Sequence, residues 1–381
     1  MAKDLVTDRT AICTDWDCGM KYYWYRLFDG TGIVPLEEPS YYKDGRDFAS
    51  TLEEARTEGF DLDEWMVRQE EEVRRLLPLG KIRAAESAVR LLGMICAYKL
   101  YTEPRILQQY EIIALEQELI LDGDQFVSNY EREFGKPQIP LGFGERGLYN
   151  LLVASTPDLI KMDRDTGALV YQDDKSTANA SNQWTAHWNY AVQLHIGLAA
   201  MEEEYRDKTL GYAHIMGMRK GQVSYGALAH PYVYANRTPK GEWRRKGYKG
   251  CEKMLTIENP GGVRAWVEHL GSEVAQEMFP WSVPVFLNKR LVYNMIVERT
   301  IRMAEIERWG RLEPDDRQIL APGVFPKSLN QCYPSMGSVC PYLQACHNAT
   351  VGDDPLGSEL YGVRTPHHNV EILMNQEVEN G

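Results

Sequence analysis

The sequence predicts an α/β fold in which a central mixed β-sheet is flanked by helices. Three observations support this prediction: an N-terminal stretch with apolar residues at three- and four-residue spacing, a middle stretch of short apolar runs between turn residues, and a return to helical patterning after it. Hydrophobic residues make up 44% and aromatic residues 10% of the 381-residue chain. This composition is typical of globular proteins and excludes the disordered and fibrous classes.

At about 150 residues per domain, the length predicts two domains or one large domain with insertions. Four regions differ in composition. They are a mostly helical N-terminal region (1–109), a mixed core (110–235), a basic loop followed by helices (236–321) and a cysteine-bearing C-terminal segment with an acidic tail (322–381).

The N-terminal region contains three predicted helical stretches. Residues 15–29 are rich in aromatic side chains and form a helix or turn, and 50–77 form a charged helix that Pro78 and Gly80 end. Residues 81–100 have the apolar spacing of an amphipathic helix.

Short apolar and alternating runs predict strands in the core region, and the turn residues 163–167 between two of them predict a hairpin. The predicted core elements are strands over 110–121, 151–162, 168–174, 210–218 and 223–235, a turn over 142–150 and a helix over 184–205. After the core, we expect helices over 261–279 and 283–309 and a loop beyond Pro322.

The formal net charge is −13, but the acidic residues are concentrated in two places. Residues 53–73 sum to −7 and residues 352–381 to −5, so the other 330 residues sum to about −1. Arg244, Arg245 and Lys246 lie in a basic loop that is a candidate surface for phosphate contacts, with a solvated loop as the alternative. The overall charge therefore does not exclude a nucleic-acid substrate.

We expect a cytoplasmic protein with no membrane partner. No run reaches the roughly 18 uncharged apolar residues of a membrane helix, and the first residues lack the apolar core of a signal peptide. Disulfides are not expected in a reducing cytoplasm.

Two short segments bring acidic and basic residues onto neighbouring predicted strands. Asp158 follows Thr-Pro at the first strand of the hairpin, and Asp173 and Lys175 lie on the second. Side chains alternate along a strand, so Asp173 and Lys175 face the same side and Asp174 the other. Two carboxylates at a strand end suit Mg²⁺ or Mn²⁺, and a lysine beside them can orient or deprotonate a water or stabilise a phosphate. A hairpin with exposed charges is the alternative.

The predicted helix 184–205 contains Gln193 and several aromatic residues near its start, including Trp184 and Trp188. Packing of these rings on the sheet is the favoured interpretation. The alternative has Gln193 bonding near the acidic site and one ring stacking on a base of single-stranded substrate.

Seven cysteines occur in the chain, and three of them lie close together near the C-terminus. Seven and five residues separate Cys332, Cys340 and Cys346, and Cys18 is the natural fourth ligand. Four thiolates suit either tetrahedral zinc or an iron–sulfur cluster. The wide spacing and the distant fourth ligand favour a [4Fe–4S] cluster, and zinc remains the second candidate. Cys96 and Cys251 fit core positions.

Taken in order, these residues resemble the PD-(D/E)XK nuclease superfamily, in its RecB-like branch with an iron–sulfur cluster. That branch includes CRISPR-associated RecB-like exonucleases and the AddB-type nuclease domain. The resemblance spans nearly the whole chain and follows the family order of motifs. The matching positions are Cys18, Asp158, Asp173 with Lys175, Gln193, Cys332, Cys340 and Cys346.

The resemblance implies a restriction-endonuclease-like core and a metal-dependent DNA nuclease. Asp158 and Asp173 would hold Mg²⁺ or Mn²⁺, Lys175 would assist the attacking water, and Gln193 would act from the helix. The four cysteines would hold a structural [4Fe–4S] cluster that joins the N- and C-terminal segments.

Three departures from the family pattern are visible. The histidine of an upstream G-x-x-x-H segment is replaced by Ala49, and Glu116 or Glu118 is a candidate for the missing metal ligand. The position four residues after the helix glutamine, usually tyrosine, is Gly197. The cysteines are also more widely spaced than the usual close pair.

We expect a stand-alone nuclease, an exonuclease or an end-processing enzyme acting on single-stranded DNA or duplex ends. The alternative is a protein that keeps the nuclease fold but has weakened catalysis and serves as a DNA-binding or partner-binding adaptor. Ala49 and the acidic segment 53–73, which would dock a basic partner, favour this alternative. A protein partner or a second copy of the chain is compatible with either function.

Overall fold

The structure is a computed structural model. It describes residues 3–30, 32–36, 40–76, 78–135, 149–177, 184, 188–219, 263–264, 267–268, 271–272, 276, 279–328, 332, 339–348 and 352–365.

Helices flank the strands of the core region, as the sequence predicts. Strands also lie at Lys3–Asp8, Ile33–Pro35 and Tyr361–Val363, in regions predicted as mostly helical or as a loop. Their bounds are α1 Arg9–Asp17, α2 Gly19–Tyr22, α3 Ser40–Arg56, α4 Leu62–Leu76, α5 Ile82–Ala97, α6 Glu103–Gln109, α7 Gly123–Phe134, α8 Val192–Glu204, α9 Lys289–Gly310, α10 Pro314–Val324 and α11 Leu343–His347. Short π-helical turns lie at Tyr23–Leu27 and Tyr98–Thr102, and 3₁₀ turns at Phe28–Gly30 and Trp188–Tyr190.

The strands described form three sheets. Their bounds are β1 Lys3–Asp8, β2 Ile33–Pro35, β3 Tyr110–Leu115, β4 Leu119–Asp122, β5 Tyr149–Ser155, β6 Leu159–Asp163, β7 Ala168–Thr177, β8 Thr209–Arg219 and β9 Tyr361–Val363. The sheet orders are β3-β6-β7-β8, β1-β5-β4 and β2-β9. The first two sheets mix parallel and antiparallel pairs, so the predicted mixed α/β fold with flanking helices is confirmed.

Two predicted strands are each divided between two sheets. The strand predicted over 110–121 bends at Glu116, whose positive φ of 46° turns the chain from β3 into β4. The strand predicted over 151–162 breaks at Thr156 and Pro157, because proline lacks the N–H that a ladder needs. The predicted hairpin is confirmed as β6–β7, with Gly167 at φ 68° in its turn.

Three predicted helices have different bounds. The helix predicted over 50–77 is two helices, α3 and α4, separated by a turn in which Gly59 has a φ of 84°. The unbroken part of the helix predicted over 184–205 begins only at Val192, as α8, and a 3₁₀ turn at Trp188–Tyr190 precedes it. The helix predicted over 283–309 starts at Lys289 as α9, because residues 281–285 instead bridge to β8.

Other predicted elements fall wholly or partly outside the described residues. The turn 142–150 is described only at its last two positions, and the helix 261–279 only at scattered positions. The strand 223–235 lies outside them entirely. The loop predicted beyond Pro322 contains the short helix α11 and the strand β9.

The four-stranded sheet separates two apolar cores. On one side, Val170 and Met216 pack against the N-terminal helices α3 to α6, and on the other, Tyr171 and Ile215 pack against α8 and α9. A third core lies around α2, α10 and α11. No helix in the described part of the chain is long and apolar enough to cross a membrane.

Candidate active site and cysteine group

A carboxylate lies on or directly beside each of three neighbouring strands, at the same end of the four-stranded sheet. Extending the β3–β6 and β6–β7 registers by one residue places Glu116 beside Asp158, and Asp158 beside Asp173. The structure therefore brings together the three acidic residues that the sequence proposed as metal ligands. We call them the carboxylate row.

Asp158, in the middle of the row, is held by its neighbours in two ways. Its Oδ2 accepts a hydrogen bond from the backbone N–H of Asp174 at 2.5 Å, and its carboxyl shares a hydrogen bond with Glu116. Burial and the charges of Asp174 and Asp173 raise the pKa of Asp158 well above its usual range. Burial also raises the pKa of Glu116. The pair therefore retains a proton at a pH at which an exposed carboxyl is ionised.

Lys175 lies where the carboxylate row meets solvent. Its Nζ is 2.6 Å from Oδ2 of Asp173, whose side chain is fully buried, whereas the Lys175 side chain is 36% exposed. Both residues face the same side of β7, as strand alternation predicts, and Asp174 bonds to residues on the other side. The lysine thus presents a positive charge that can contact a water or a phosphate oxygen.

Gln193 lies in the first turn of α8, the crossover helix between the parallel strands β7 and β8. A Cβ at Gly197 would lie 2.4 Å from Cε2 of Tyr171, so α8 packs directly on β7 at this position. A crossover helix runs antiparallel to the strands that it joins, which puts Gln193 one turn nearer to the Asp173–Lys175 end of β7. The Tyr171 ring also explains why position 197 is glycine.

Arg56, at the end of α3, is a site residue that the sequence reasoning missed. Its Nη2 lies 2.6 Å from Oδ2 of Asp174, with both side chains almost fully buried. Its Nε donates to the Tyr98 hydroxyl at 3.0 Å, and Gln172 Nε2 donates to Asp174 Oδ1 at 2.8 Å. No spacing motif marks Arg56, because the contact depends on how α3 packs on the sheet.

Lys161 extends this set of contacts into the core and was also missed. It is fully buried, and its Nζ donates to Gln172 Oε1 at 2.7 Å and lies 4.0 Å and 4.5 Å from the ring centroids of Tyr110 and Trp281. Burial lowers the pKa of Lys161 well below its usual range. Arg56, Asp174, Gln172 and Lys161 thus form one connected chain, the Arg56 network, behind the carboxylate row.

The donor atoms of the site are of the type that binds a divalent cation, but the distances between them do not yet suit one. If all four carboxylates, the row and Asp174, were ionised, they would exceed the two cations Arg56 and Lys175 by two negative charges, and the proton held by Asp158 and Glu116 removes one of these. All the donors are oxygen atoms, the type that Mg²⁺ and Mn²⁺ bind. Nevertheless, no group of three or more His, Cys, Asp or Glu residues in the described ranges is arranged so that it could hold a metal ion. Asp158 and Asp173 would have to exchange their present partners for the ion.

The four cysteines proposed as ligands lie in one place, although they too do not form a complete metal-binding arrangement among the described residues. Burial raises the pKa of Cys340, and the nearby thiols of Cys18 and Cys332 add to the shift. Burial raises the pKa of Cys346 to about 11, with further contributions from Cys340 and Cys18. All four are free thiols. We call these residues the cysteine group.

Two side chains that the sequence reasoning missed contact the sulfur atoms. Trp24 Nε1 donates to Cys346 Sγ at 3.1 Å, and His347 Nε2 lies 3.7 Å from Cys332 Sγ. Such contacts orient thiolate ligands and tune a bound metal or cluster.

The cysteine group also lies where the two ends of the chain meet. The Tyr342 hydroxyl donates to the Ile33 carbonyl at 3.0 Å, and β2 pairs with β9. A Cβ at Gly19, directly after Cys18, would lie 2.9 Å from Cδ of Pro326. The absence of a side chain at position 19 therefore allows the N-terminal cysteine to approach the C-terminal segment.

The remaining predicted site residues have separate outcomes. Arg244, Arg245 and Lys246 lie outside the described residues. Ala49 is exposed on α3, and Glu53, one turn later, raises the pKa of Glu116, so α3 does approach the row. Glu118, the second candidate ligand, directly precedes β4, beyond the bend at Glu116.

Comparison with known proteins gives no family for this chain. No family model matches it, and no curated protein matches it significantly.

Proposed function

We propose that this protein is a metal-dependent deoxyribonuclease of the RecB-like PD-(D/E)XK type, with a restriction-endonuclease-like core. The observation that carries the proposal is the position of Glu116, Asp158 and Asp173 at the same end of three adjacent strands, with Lys175 on the solvent side of Asp173. The substrate class is DNA, as single strands or duplex ends.

The carboxylate row is the set of residues that would hold Mg²⁺ or Mn²⁺. When bound, the ion would activate a water and neutralise charge on the phosphate. In the hydrolysis, the water oxygen forms a new bond to phosphorus, and the bond from phosphorus to the leaving nucleotide oxygen breaks. One water proton is lost, and the leaving oxygen gains a proton.

The protein side chains have distinct parts in this reaction. Lys175 donates to a phosphate oxygen or orients the water, because its ammonium group is partly exposed and fixed by Asp173. Asp158 and Glu116 hold a proton between them that they would give up on binding the ion. Gln193 supports the site from the start of α8.

A cleavage assay with end-labelled single-stranded and duplex DNA in Mn²⁺ tests the proposal. Asp173→Ala and Lys175→Ala should each abolish shortening of the label while the fold is retained. Asp165→Ala, which changes an exposed aspartate in the turn of the same hairpin, should cut at the parental rate. Parental cutting by both site variants would refute the assignment of these residues.

One observation favours the adaptor function as a second candidate. The carboxylates are engaged with Lys175 and with the Asp174 backbone, and no three-ligand group is formed among the described residues. An adaptor would bind DNA or a protein partner without cutting. The assay separates the two functions, since a parental chain that binds DNA but never shortens it is an adaptor.

The cysteine group supports a second part of the proposal, a structural [4Fe–4S] cluster with zinc as the other candidate. The four thiols converge, and Trp24 already donates to one of them. Iron and sulfide analysis of protein purified without oxygen, together with its visible absorption, tests this assignment. A colourless protein with one equivalent of zinc would contradict the iron–sulfur assignment.

A further inference from the structure

The carboxylate row continues onto the fourth strand of the sheet as an aromatic surface. In the parallel β7–β8 pair, Asp173 is the partner of Ile215 and Lys175 is the partner of Gly217. Gly217 therefore lies on the same face of the sheet as Lys175, one strand further from Asp158.

Trp184 covers Gly217. A Cβ at Gly217 would lie 2.7 Å from Cη2 of the Trp184 indole and 3.0 Å from Cγ of Pro280. The indole is partly exposed and packs edge to face against Trp188, with ring centroids 5.9 Å apart and planes at 81°. A side chain at position 217 would displace the indole, so the glycine is what allows Trp184 to lie against the sheet.

Neighbouring strands are about 4.8 Å apart and a strand rises about 3.3 Å per residue, so Gly217, two strands and two residues away from Asp158, lies roughly 12 Å from it, across the strand that carries Lys175. A nucleotide whose phosphate reaches Lys175 would therefore have its base, or that of the next nucleotide, within reach of the indole.

We infer that Trp184 is a base-stacking platform that selects single-stranded DNA at the proposed nuclease site. The inference rests on the proposed function. Only an unpaired base exposes its ring face for stacking, which a base inside a duplex cannot do. Outside residues 53–73 and 352–381 the chain sums to only about −1, so it has no excess of positive charge to attract the phosphate backbone and a stacking contact gains relative importance.

The chain offers a control aromatic residue away from the row. Phe286 is 66% exposed and packs on Tyr212, five residues before Gly217 on β8. It is as accessible as a stacking residue must be, but it lies far from Lys175 along the strand.

The test measures the affinity of the full chain for a labelled oligo-dT strand, and for the same strand paired with oligo-dA, in EDTA so that no cleavage occurs. Trp184→Leu, which keeps apolar bulk but lacks a π face, should weaken single-strand binding about 5- to 150-fold. Trp184→Phe should retain most of the affinity, and Phe286→Ala should retain all of it. Duplex affinity and the salt dependence of binding should be unchanged, because no charge is removed.

Equal single-strand affinity for Trp184→Leu and the parent overturns the inference, as does an equal loss of affinity for single strands and for duplex.

Parallel cleavage assays in Mn²⁺ distinguish failure of this inference from failure of the proposed function. If the parent cuts DNA but Trp184→Leu binds normally, only the inference fails. If the parent binds single strands through Trp184 but never cuts, the stacking platform holds and the nuclease proposal fails. If the parent neither binds nor cuts, both fail.

Discussion

The carboxylate row is assembled from one stretch of chain, Glu116 to Asp173, whereas the cysteine group joins Cys18 to residues more than 300 positions later. Backbone ladders between β3, β6 and β7 hold the row in register. At the cysteine group, the main-chain contacts of the described residues include the bond from the Cys340 N–H to the Cys332 carbonyl at 2.9 Å.

This difference indicates at which of the two sites a bound metal would contribute to folding stability. At the row, backbone ladders hold the strands together, so a bound ion would add charge compensation and chemistry. At the cysteine group, ligation would itself hold distant segments together, and its binding energy would be folding energy. Loss of a ligand at the cysteine group should therefore lower stability strongly, whereas loss of the ion at the row should change stability little.

The largest expected effect separates the two sites by stability. Cys340→Ser should lower the melting temperature by at least about 10 °C, because loss of one ligand weakens a metal site worth several kcal/mol of folding energy. EDTA, which removes Mn²⁺ from the row, should change it by no more than about 2 °C. Differential scanning fluorimetry measures both, with Cys13→Ser as the control. Equal melting temperatures for Cys340→Ser and Cys13→Ser would break the comparison.

The second effect concerns the support behind the row. Arg56→Met leaves Asp174 buried without its guanidinium partner and should destabilise the protein by about 3–5 kcal/mol. Arg68→Met removes an ion pair to Glu54 whose side chains are 58% and 50% exposed, and should cost less than about 1 kcal/mol. Urea denaturation measures the two variants side by side. A small loss for Arg56→Met would mean that the row does not depend on the Arg56 network.

The third effect is the pH dependence of the row. A carboxyl whose pKa is raised by folding contributes stability at low pH, and this contribution is lost as the pH rises through the raised pKa. In EDTA, stability should therefore fall as the pH rises through the raised pKa of Asp158, and Mn²⁺ should oppose the fall. Thermal melts at a series of pH values measure both trends.

Two variants sharpen this pH prediction. Asp158→Asn should abolish the effect of Mn²⁺. Glu203→Gln should retain the effect of Mn²⁺, because Glu203 lies outside the row. Burial raises the pKa of this carboxyl too, to about 7, so the variant is a matched control. An Mn²⁺ effect that survives in Asp158→Asn would place the ion elsewhere.

The smallest expected effect lies at the cysteine group. Trp24→Phe removes the hydrogen bond to Cys346 Sγ and should cost about 1 kcal/mol of stability. It should also lower the reduction potential of a bound cluster, because N–H donors to sulfur favour the reduced state. Trp309→Phe is the control, since it loses an indole bond to the Arg317 carbonyl instead. An unchanged potential in Trp24→Phe would exclude Cys346 as a cluster ligand.

The sequence predicted the hairpin and its acidic residues because strand alternation and turn residues are local signals. Asp158, Asp173 and Lys175 therefore fall where the spacing predicted. The bend at Glu116 was not predicted, because the strand-like alternation over 110–121 includes the polar positions 116–118, which give no sign of a positive φ. Arg56 was missed for a different reason, since its contact arises from packing of a helix on a strand more than 100 residues later.

The same reasoning explains the mixed outcome in the helices. The apolar spacing over 81–100 predicted a helix, and α5 lies there. The charged stretch 50–77 lacks such regular apolar spacing, so the sequence did not show that one helix ends and another begins around Gly59. The type and order of Cys18, Cys332, Cys340 and Cys346 predicted that they share one site, and the structure places them near one another, while ligation of a metal or cluster stays a prediction.

The most direct test of the central claim, that Glu116, Asp158 and Asp173 share one divalent cation, is calorimetric titration of the protein with Mn²⁺ in two buffers of different ionisation enthalpy. We predict binding that releases protons, because the ion displaces the proton held by Asp158 and Glu116. Asp173→Asn should lose this binding and Asp165→Asn should keep it. No binding by the parent, or the same binding by both variants, would contradict the claim.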